Sequence, residues 1–197
     1  MAGWKPVIIG KPPITAACQC GSMFSVIPRV PLRVRMQFIP PMRLACIEAR
    51  GPVVPASHAA WRGLFDWIER RGHNHPGRGY GQAYRGGPMM SPGHQRYAAC
   101  IEVPSTWHPC DARYATITRS SGGAYATRRY VGPYSNIGGV VLEIREVWLP
   151  KSGVYIDPHR PLLTIFHDDP RNTMPEFQRA DVCIPVSADR RHNAREF

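Results

Sequence analysis

Apolar residues recur at helical spacing in two segments of the chain. The first stripe consists of Trp61, Leu64, Phe65 and Ile68. It predicts an amphipathic helix that begins after Pro55, with Ser57 as its N-cap, and that ends at Gly72. The second stripe consists of Ile137, Val140, Val141, Ile144 and Trp148. It predicts a helix from about Tyr134 to Leu149, which Pro150 stops.

Shorter segments between the helices have the composition and the alternation of β-strands. In RYAACIEVPS (residues 96–105), Tyr97, Ala99, Ile101 and Val103 alternate with residues of the other face. The remaining strand segments are residues 43–52, 81–88, 124–133, 161–170 and 180–187, and residues 30–39 alternate apolar with basic positions. The pattern predicts β-α-β-β twice, with residues 30–39 as one added edge strand.

The two halves repeat each other. A Gly-Pro pair, a helical Trp and a later Gly recur at one constant spacing, as Gly51-Pro52, Trp67 and Gly72 and again as Gly132-Pro133, Trp148 and Gly153. Tyr84 with Phe166, and Cys100-Ile101 with Cys183-Ile184, recur at nearly the same spacing. The repeat predicts an α+β fold in which two pseudo-symmetric β-α-β-β units form a mainly antiparallel sheet, with two main helices on one face and a central groove.

Length and charge set the domain organisation. We expect one ligand-binding domain over residues 42–188, with repeats at 42–105 and 123–188, after a Pro-rich basic arm (1–41) and before a polar tail (189–197). Of the net charge of +11, residues 1–47 supply +6 and the tail supplies +1. The domain is therefore weakly basic, and direct nucleic-acid binding is not expected. Without a long apolar run or a secretory h-region, the sequence predicts a cytoplasmic protein with no membrane partner.

The cysteine and histidine patterns do not favour a metal site. Cys18 and Cys20 form the one close cysteine pair, and zinc needs a second pair of ligands. His73, His75 and His94 lie in Gly-Pro-rich segments without an acidic neighbour, as in a solvated loop. No phosphate-binding loop or nucleophile elbow is present, so we expect no cofactor and reduced, mostly buried thiols.

Several phrases together resemble a known family. RGP and YVGP precede the two predicted helices, WLPKSG follows the second, and RYAACIEVP and DVCIPV form strands. In this order they are similar to the GyrI-like small-molecule binding domain, which is also the effector-binding half of AraC-type and MerR-type multidrug regulators. The resemblance implies a paired SHS2-type fold whose groove takes up bulky, aromatic and often cationic compounds, using stacking aromatics and an acidic group. It also implies two alternatives, a hydrolase of cyclopropane-bearing natural products and a protein that modulates DNA gyrase.

The resemblance directs attention to five ligand-binding candidates. They are Tyr84, Tyr97, Trp148, Phe166 and Asp181. Asp181 stands where the family's acidic residue is sought, and aromatic rings with one carboxylate suit a planar cation. Trp148 also lies on the apolar stripe of its helix, so packing in the core is the alternative to ligand contact for this residue. The expected function is that of a stand-alone binding or sequestering protein for an aromatic, cationic compound.

A hydrolase in the same groove would need a carboxylate and an assisting hydroxyl. Glu143 and Glu146 lie three residues apart on the second helix and are the catalytic carboxylate candidates. The candidates for the hydroxyl are Tyr125, and beside it Tyr130 and Tyr97. A solvated helix face paired with Arg145 is the alternative for both carboxylates. The expected partners are the small molecule, and beyond it DNA gyrase or a separately encoded regulator, since the sequence has no helix-turn-helix module.

Overall fold

The computed structural model describes residues 32–70, 78–84, 95–107 and 114–189. These ranges contain nine strands: β1 (Arg35–Ile39), β2 (Arg43–Arg50), β3 (Gly79–Tyr84), β4 (Arg96–Glu102), β5 (Thr116–Arg119), β6 (Gly123–Val131), β7 (Tyr155–Ile156), β8 (Leu162–Phe166) and β9 (Arg179–Ser187). The main helices are α1 (Val53–Arg70) and α2 (Ile137–Glu143). Neither of these two helices of the described residues is both long and apolar enough to span a membrane.

The strands form an antiparallel sheet in the order β1-β6-β9-β8-β3-β4-β2-β5, with β7 paired to β9. Exchanging the two halves of the chain reverses this order, so a pseudo-twofold axis passes between β3 and β8. β5 lies between the two predicted repeats, in a segment that the sequence pattern treats as a connector. Its four residues carry no apolar alternation, and the structure shows that they are mostly exposed. β1 and β5 are equivalent strands, because their first residues are separated by the same number of positions as Gly51 and Gly132. The repeated unit is therefore β-β-α-β-β. The first strand of each unit pairs with a strand of the other unit, β1 with β6 and β5 with β2.

Both helices cover the same face of the sheet. Residues directly opposite each other in antiparallel strands point to the same side. One such row runs through Val182, Thr164, Gly81 and Ala99. Val182 belongs to an apolar cluster with Val140 of α2 and with Ile144, which directly follows α2. Ala99 belongs to a second cluster with the buried residues of α1. The α+β fold with two helices on one face, predicted from the sequence, is confirmed.

A third apolar cluster lies on the opposite face of the sheet. It includes Tyr80, Cys100, Leu163 and Cys183, which alternate along their strands with residues of the helix-covered face. β9 is buried from Ala180 to Val186, so both of its faces are covered.

The predicted start of the first helix is wrong. α1 begins at Val53, before Ser57, and Ser57 Oγ donates to the Val54 carbonyl oxygen at 2.8 Å instead of capping the helix. Pro55 is tolerated because the first-turn N–H groups have no intrahelical partner. The helix follows closely on Gly51, whose φ of 118° makes the predicted Gly-Pro turn.

The second predicted helix is interrupted. A 3-10 turn (Tyr134–Asn136) precedes α2, and a π-helical turn (Ile144–Trp148) and a 3-10 turn (Leu149–Lys151) follow it. Pro150 has no N–H to continue the ladder, which accounts for the end of the helix near the predicted residue. Gly153, with φ of 74°, then turns the chain.

The expected equivalence of Tyr84 with Phe166 is wrong by one position. β4 pairs Tyr97 with Ala83, and β9 pairs Ala180 with Phe166. The number of residues between Ala83 and Phe166 is the same as between their pairing partners Tyr97 and Ala180. Phe166 in the second repeat therefore corresponds to Ala83 in the first. Phe166 therefore lies on the helix-covered face, whereas Tyr84 belongs to the opposite face and packs beside its cluster.

Candidate ligand-binding site

A cavity of about 900 Å³ lies between α1 and α2, over the central strands β3 and β8. From α1 it is lined by Val53, Val54, Ser57, His58, Trp61 and Phe65. From α2 and the turn before it, the lining is Tyr134, Ser135, Ile137, Gly138, Val141 and Leu142. The strands contribute Gly79, Ala83, Leu162, Thr164 and Phe166. The volume is within the range of small-molecule sites, about 300–1,000 Å³.

Two glycines of β3 allow aromatic side chains to lie against the cavity floor. A Cβ on Gly79 would come within 2.6 Å of the Trp61 ring. A Cβ on Gly81 would collide with the Tyr97 hydroxyl and stand 3.1 Å from the Phe166 ring. Glycine is therefore required at both positions for close approach of these rings to the backbone.

Four aromatic rings run in contact from one helix to the other. Trp61 meets Phe65 with ring centroids 5.6 Å apart, and it meets Phe166 edge-on at 5.2 Å. On its other side, Phe166 meets Tyr134 at 4.7 Å. Edge-to-face pairs of this kind are favourable by about 0.5–1.5 kcal/mol beyond their burial. The rings give the cavity a continuous aromatic wall that is fixed by its own contacts.

The charged groups around the cavity are paired. Asp168 lines the cavity, and its two carboxylate oxygens accept from Arg179 at 2.6 and 3.0 Å. These hydrogen bonds lower the pKa of Asp168, although burial opposes the change. Arg171 stacks on Phe65, with its guanidinium carbon 4.2 Å from the ring centroid.

Three of the predicted ligand-binding residues line this cavity, and two do not. Tyr97 and Phe166 line it from the helix-covered face, and Tyr84 borders it at the end of β3, with its side chain packed beside the opposite-face cluster. Trp148 packs against the second-half core cluster with Val140 and Ile144, outside the cavity lining.

Asp181 lies on the opposite face of the sheet. It stands across from Ile165 in a row that continues to Tyr80, and both belong to the opposite-face cluster. Its carboxylate accepts from Arg129 at 2.5 and 3.0 Å and lies 3.0 Å from His167 Nε2. Burial tends to raise the pKa of Asp181, but the hydrogen bonds from Arg129 and His167 prevail and lower it. The structure places this carboxylate in an ion cluster of the sheet, away from the cavity.

The catalytic candidates also lie outside the cavity lining. Glu143 forms an ion pair with Arg128, and Glu146 pairs with its neighbour Arg145 at 3.0 Å. Tyr125 is buried on the opposite face under Arg160, whose guanidinium is 5.0 Å from the ring centroid.

Sequence reasoning missed Trp61, Phe65 and Tyr134 as cavity residues. A signal was present in α1, whose buried residues are Ala56, Ala60, Leu64, Trp67 and Ile68. Trp61 and Phe65 directly follow Ala60 and Leu64 and are only partly buried, so the apolar stripe is wider than the buried face of the helix. The excess width faces the cavity.

The histidines and cysteines considered as metal ligands lie outside the described residues. His73, His75, His94, Cys18 and Cys20 all fall in ranges that the structure does not describe. Within the described ranges, no three metal-ligating side chains gather at one place.

Residues 33–187 match the sequence family of the GyrI-like small molecule binding domain. The chain belongs to the GyrI-like family. The match includes all nine strands and both helices, so the cavity lies wholly within the GyrI-like domain. No curated protein matches the chain.

Several solved structures have a similar fold. The EcmrR C-terminal domain has a TM-score of 0.62 and 11% identity, covering 80% of this chain and 98% of that one. SAV2435 bound to tetraphenylphosphonium has a TM-score of 0.55 and 11% identity, covering 83% and 99%. A hydrolase from Listeria innocua has a TM-score of 0.53 and 16% identity, covering 79% and 92%. At these identities the likeness shows the fold.

Proposed function

We propose that this GyrI-like domain binds a bulky aromatic small molecule in the cavity between α1 and α2. The observation that carries the proposal is the aromatic wall of Phe65, Trp61, Phe166 and Tyr134 along a cavity of about 900 Å³. Rings held by neighbouring rings lose little conformational freedom when a flat ligand packs against them, which favours binding. A relative of the same fold, SAV2435, binds the aromatic cation tetraphenylphosphonium.

Hydrolysis is the alternative that the sequence and the Listeria innocua relative suggest. A hydrolytic site in the cavity requires a group that activates water. Glu143 and Glu146 are engaged outside it, and the ionisable groups in the described lining that suit this role are His58 and Asp168. Arg179 holds both oxygens of Asp168, which leaves His58 as the candidate base in the described lining. Binding requires no such group, so the aromatic wall supports binding better than hydrolysis.

Thermal unfolding with a panel of aromatic compounds tests the binding function. The panel contains cations such as tetraphenylphosphonium together with neutral and anionic compounds of similar size. A ligand at about 100 times its Kd stabilises the folded state by about 2.7 kcal/mol. For a chain of this length the expected increase in Tm is about 5–10 °C. A folded protein whose Tm is unchanged by every aromatic compound would contradict the proposal.

A further inference from the structure

Tyr97 contributes to the cavity a hydroxyl group whose proton has no acceptor among the described residues. Its side chain is buried, with 7% of the residue exposed, and it lines the cavity. The hydroxyl oxygen accepts from Trp61 Nε1 at 3.1 Å and lies over Gly81. No group among the described residues accepts the hydroxyl proton of Tyr97. A buried donor that lacks an acceptor is unfavourable unless a ligand or water supplies one.

The other two cavity tyrosines use their protons. Tyr84 Oη donates to Gln82 Oε1 at 2.7 Å. Tyr134 Oη is 3.0 Å from the carbonyl oxygens of Asp168 and Arg179, one of which accepts its proton. Burial raises the pKa of Tyr97 well above its ordinary value, so the hydroxyl keeps its proton at neutral pH. Tyr97 is therefore the tyrosine of the cavity that is ready to donate to a ligand.

The cavity offers little to a cation. The chain has 14 acidic residues, of which Asp111 and Glu196 alone lie outside the described ranges. Of the described acids, Asp168 is the one that lines the cavity, and Arg179 binds both of its oxygens. A ligand cation would also compete with the guanidinium group of Arg171, which already stacks on Phe65 of the aromatic wall. Binding a charge without a free counter-charge is unfavourable because the charge loses its hydration.

We propose that the cavity selects an uncharged aromatic compound whose oxygen acceptor, such as a carbonyl or phosphoryl oxygen, accepts a hydrogen bond from Tyr97. The aromatic wall would hold the rings, and the Tyr97 hydroxyl would fix their orientation through the acceptor. This selectivity rests on the proposed binding function. It differs from the cationic preference predicted from the sequence, which needed a free carboxylate in the groove.

Two compounds of nearly the same shape test the selectivity. Triphenylphosphine oxide is neutral and carries a strong oxygen acceptor, and methyltriphenylphosphonium replaces that oxygen with a methyl group and a positive charge. Calorimetric titration of the full chain should give at least about tenfold tighter binding of the oxide, since an uncompensated buried charge and a lost hydrogen bond both disfavour the cation. Equal or tighter binding of the cation would overturn the proposal.

The variant Tyr97→Phe isolates the hydrogen bond. It should weaken the binding of triphenylphosphine oxide by about fivefold to tenfold, because a net hydrogen bond contributes about 1 kcal/mol. The affinity for methyltriphenylphosphonium should not change. Tyr80→Phe is the matched control, since it removes a buried tyrosine hydroxyl on the opposite face of the sheet and should change neither affinity. An unchanged oxide affinity in a folded Tyr97→Phe protein would refute the donor role. If neither compound binds while other aromatics stabilise the protein, the selectivity fails and the binding function stands; if no aromatic compound binds, both fail.

Discussion

Replacing Gly138 with tryptophan should weaken the binding of an aromatic compound by more than about tenfold. Gly138 is a lining residue of α2, and a Cβ built on it meets no other atom within 4 Å. Because Gly138 lines the cavity, the large ring of a tryptophan there would take up cavity space and compete with the ligand. The fold should tolerate the change, because glycine in a helix is less favourable than other non-proline residues, by up to about 1 kcal/mol.

The neighbouring glycine supplies a matched control. Gly139 lies in the same helix and also has open space around a Cβ, but it does not line the cavity. Gly139→Trp should therefore keep the ligand affinity within about twofold while changing the helix propensity in the same direction. Calorimetric titration of both variants, with thermal unfolding of each, makes the comparison. Equal loss of affinity in the two variants would show that the cavity between the helices is not the binding site.

Replacing Asp181 with asparagine should destabilise the protein by about 2 kcal/mol and leave ligand binding unchanged. Breaking a fully buried ion pair costs about 3–5 kcal/mol. Asp181 is 6% exposed at its side chain, but its partners Arg129 and Arg35 are 49% and 59% exposed, so solvent screens part of the interaction. His167 completes the cluster at 3.0 Å. The expected decrease in Tm is about 4–8 °C.

The destabilisation should depend on pH. The folded-state pKa of Asp181 is lowered, so its ionised form contributes stability above the unfolded pKa of about 3.9. That contribution is lost as the pH falls through the lower folded-state pKa. The stability difference between wild type and Asp181→Asn, measured by urea unfolding, should therefore be full at pH 7 and shrink below about pH 4.

An exposed ion pair provides the comparison for this variant. Glu48 pairs with Arg96 at 3.4 Å, and its side chain is 45% exposed. Glu48→Gln should cost less than about 0.5 kcal/mol. If Asp181→Asn were as mild as Glu48→Gln, or if it abolished ligand binding in a folded protein, Asp181 would not be the structural group described above.

The repeat made the fold predictable from the sequence. Gly51 and Gly132 mark the same positive-φ turn before a helix, and only a duplicated unit explains their recurrence with Trp67 and Trp148. β5 escaped prediction because an exposed four-residue strand has no apolar pattern of its own. Its pairing with β2, in the other unit, is a tertiary property that local sequence does not encode.

The site was less predictable because it depends on which face of the sheet each strand residue occupies. β9 is buried on both faces, so no polar alternation shows that Asp181 points away from the helices. The predicted alignment of Phe166 with Tyr84 is also wrong by one position, since Phe166 corresponds to Ala83. Successive strand residues point to opposite faces, so this error places the two aromatic side chains on one face of the sheet, whereas they lie on opposite faces. The aromatic residues of α1 were visible as a stripe, but a stripe alone does not separate core packing from a cavity wall.

The location of the binding site is tested most directly by a crystal structure of the protein with the compound that raises its Tm most. Density for the ligand is expected between α1 and α2, with its rings against Phe166 and Trp61. Density on the opposite face of the sheet, beside Asp181 and Arg129, would contradict this location.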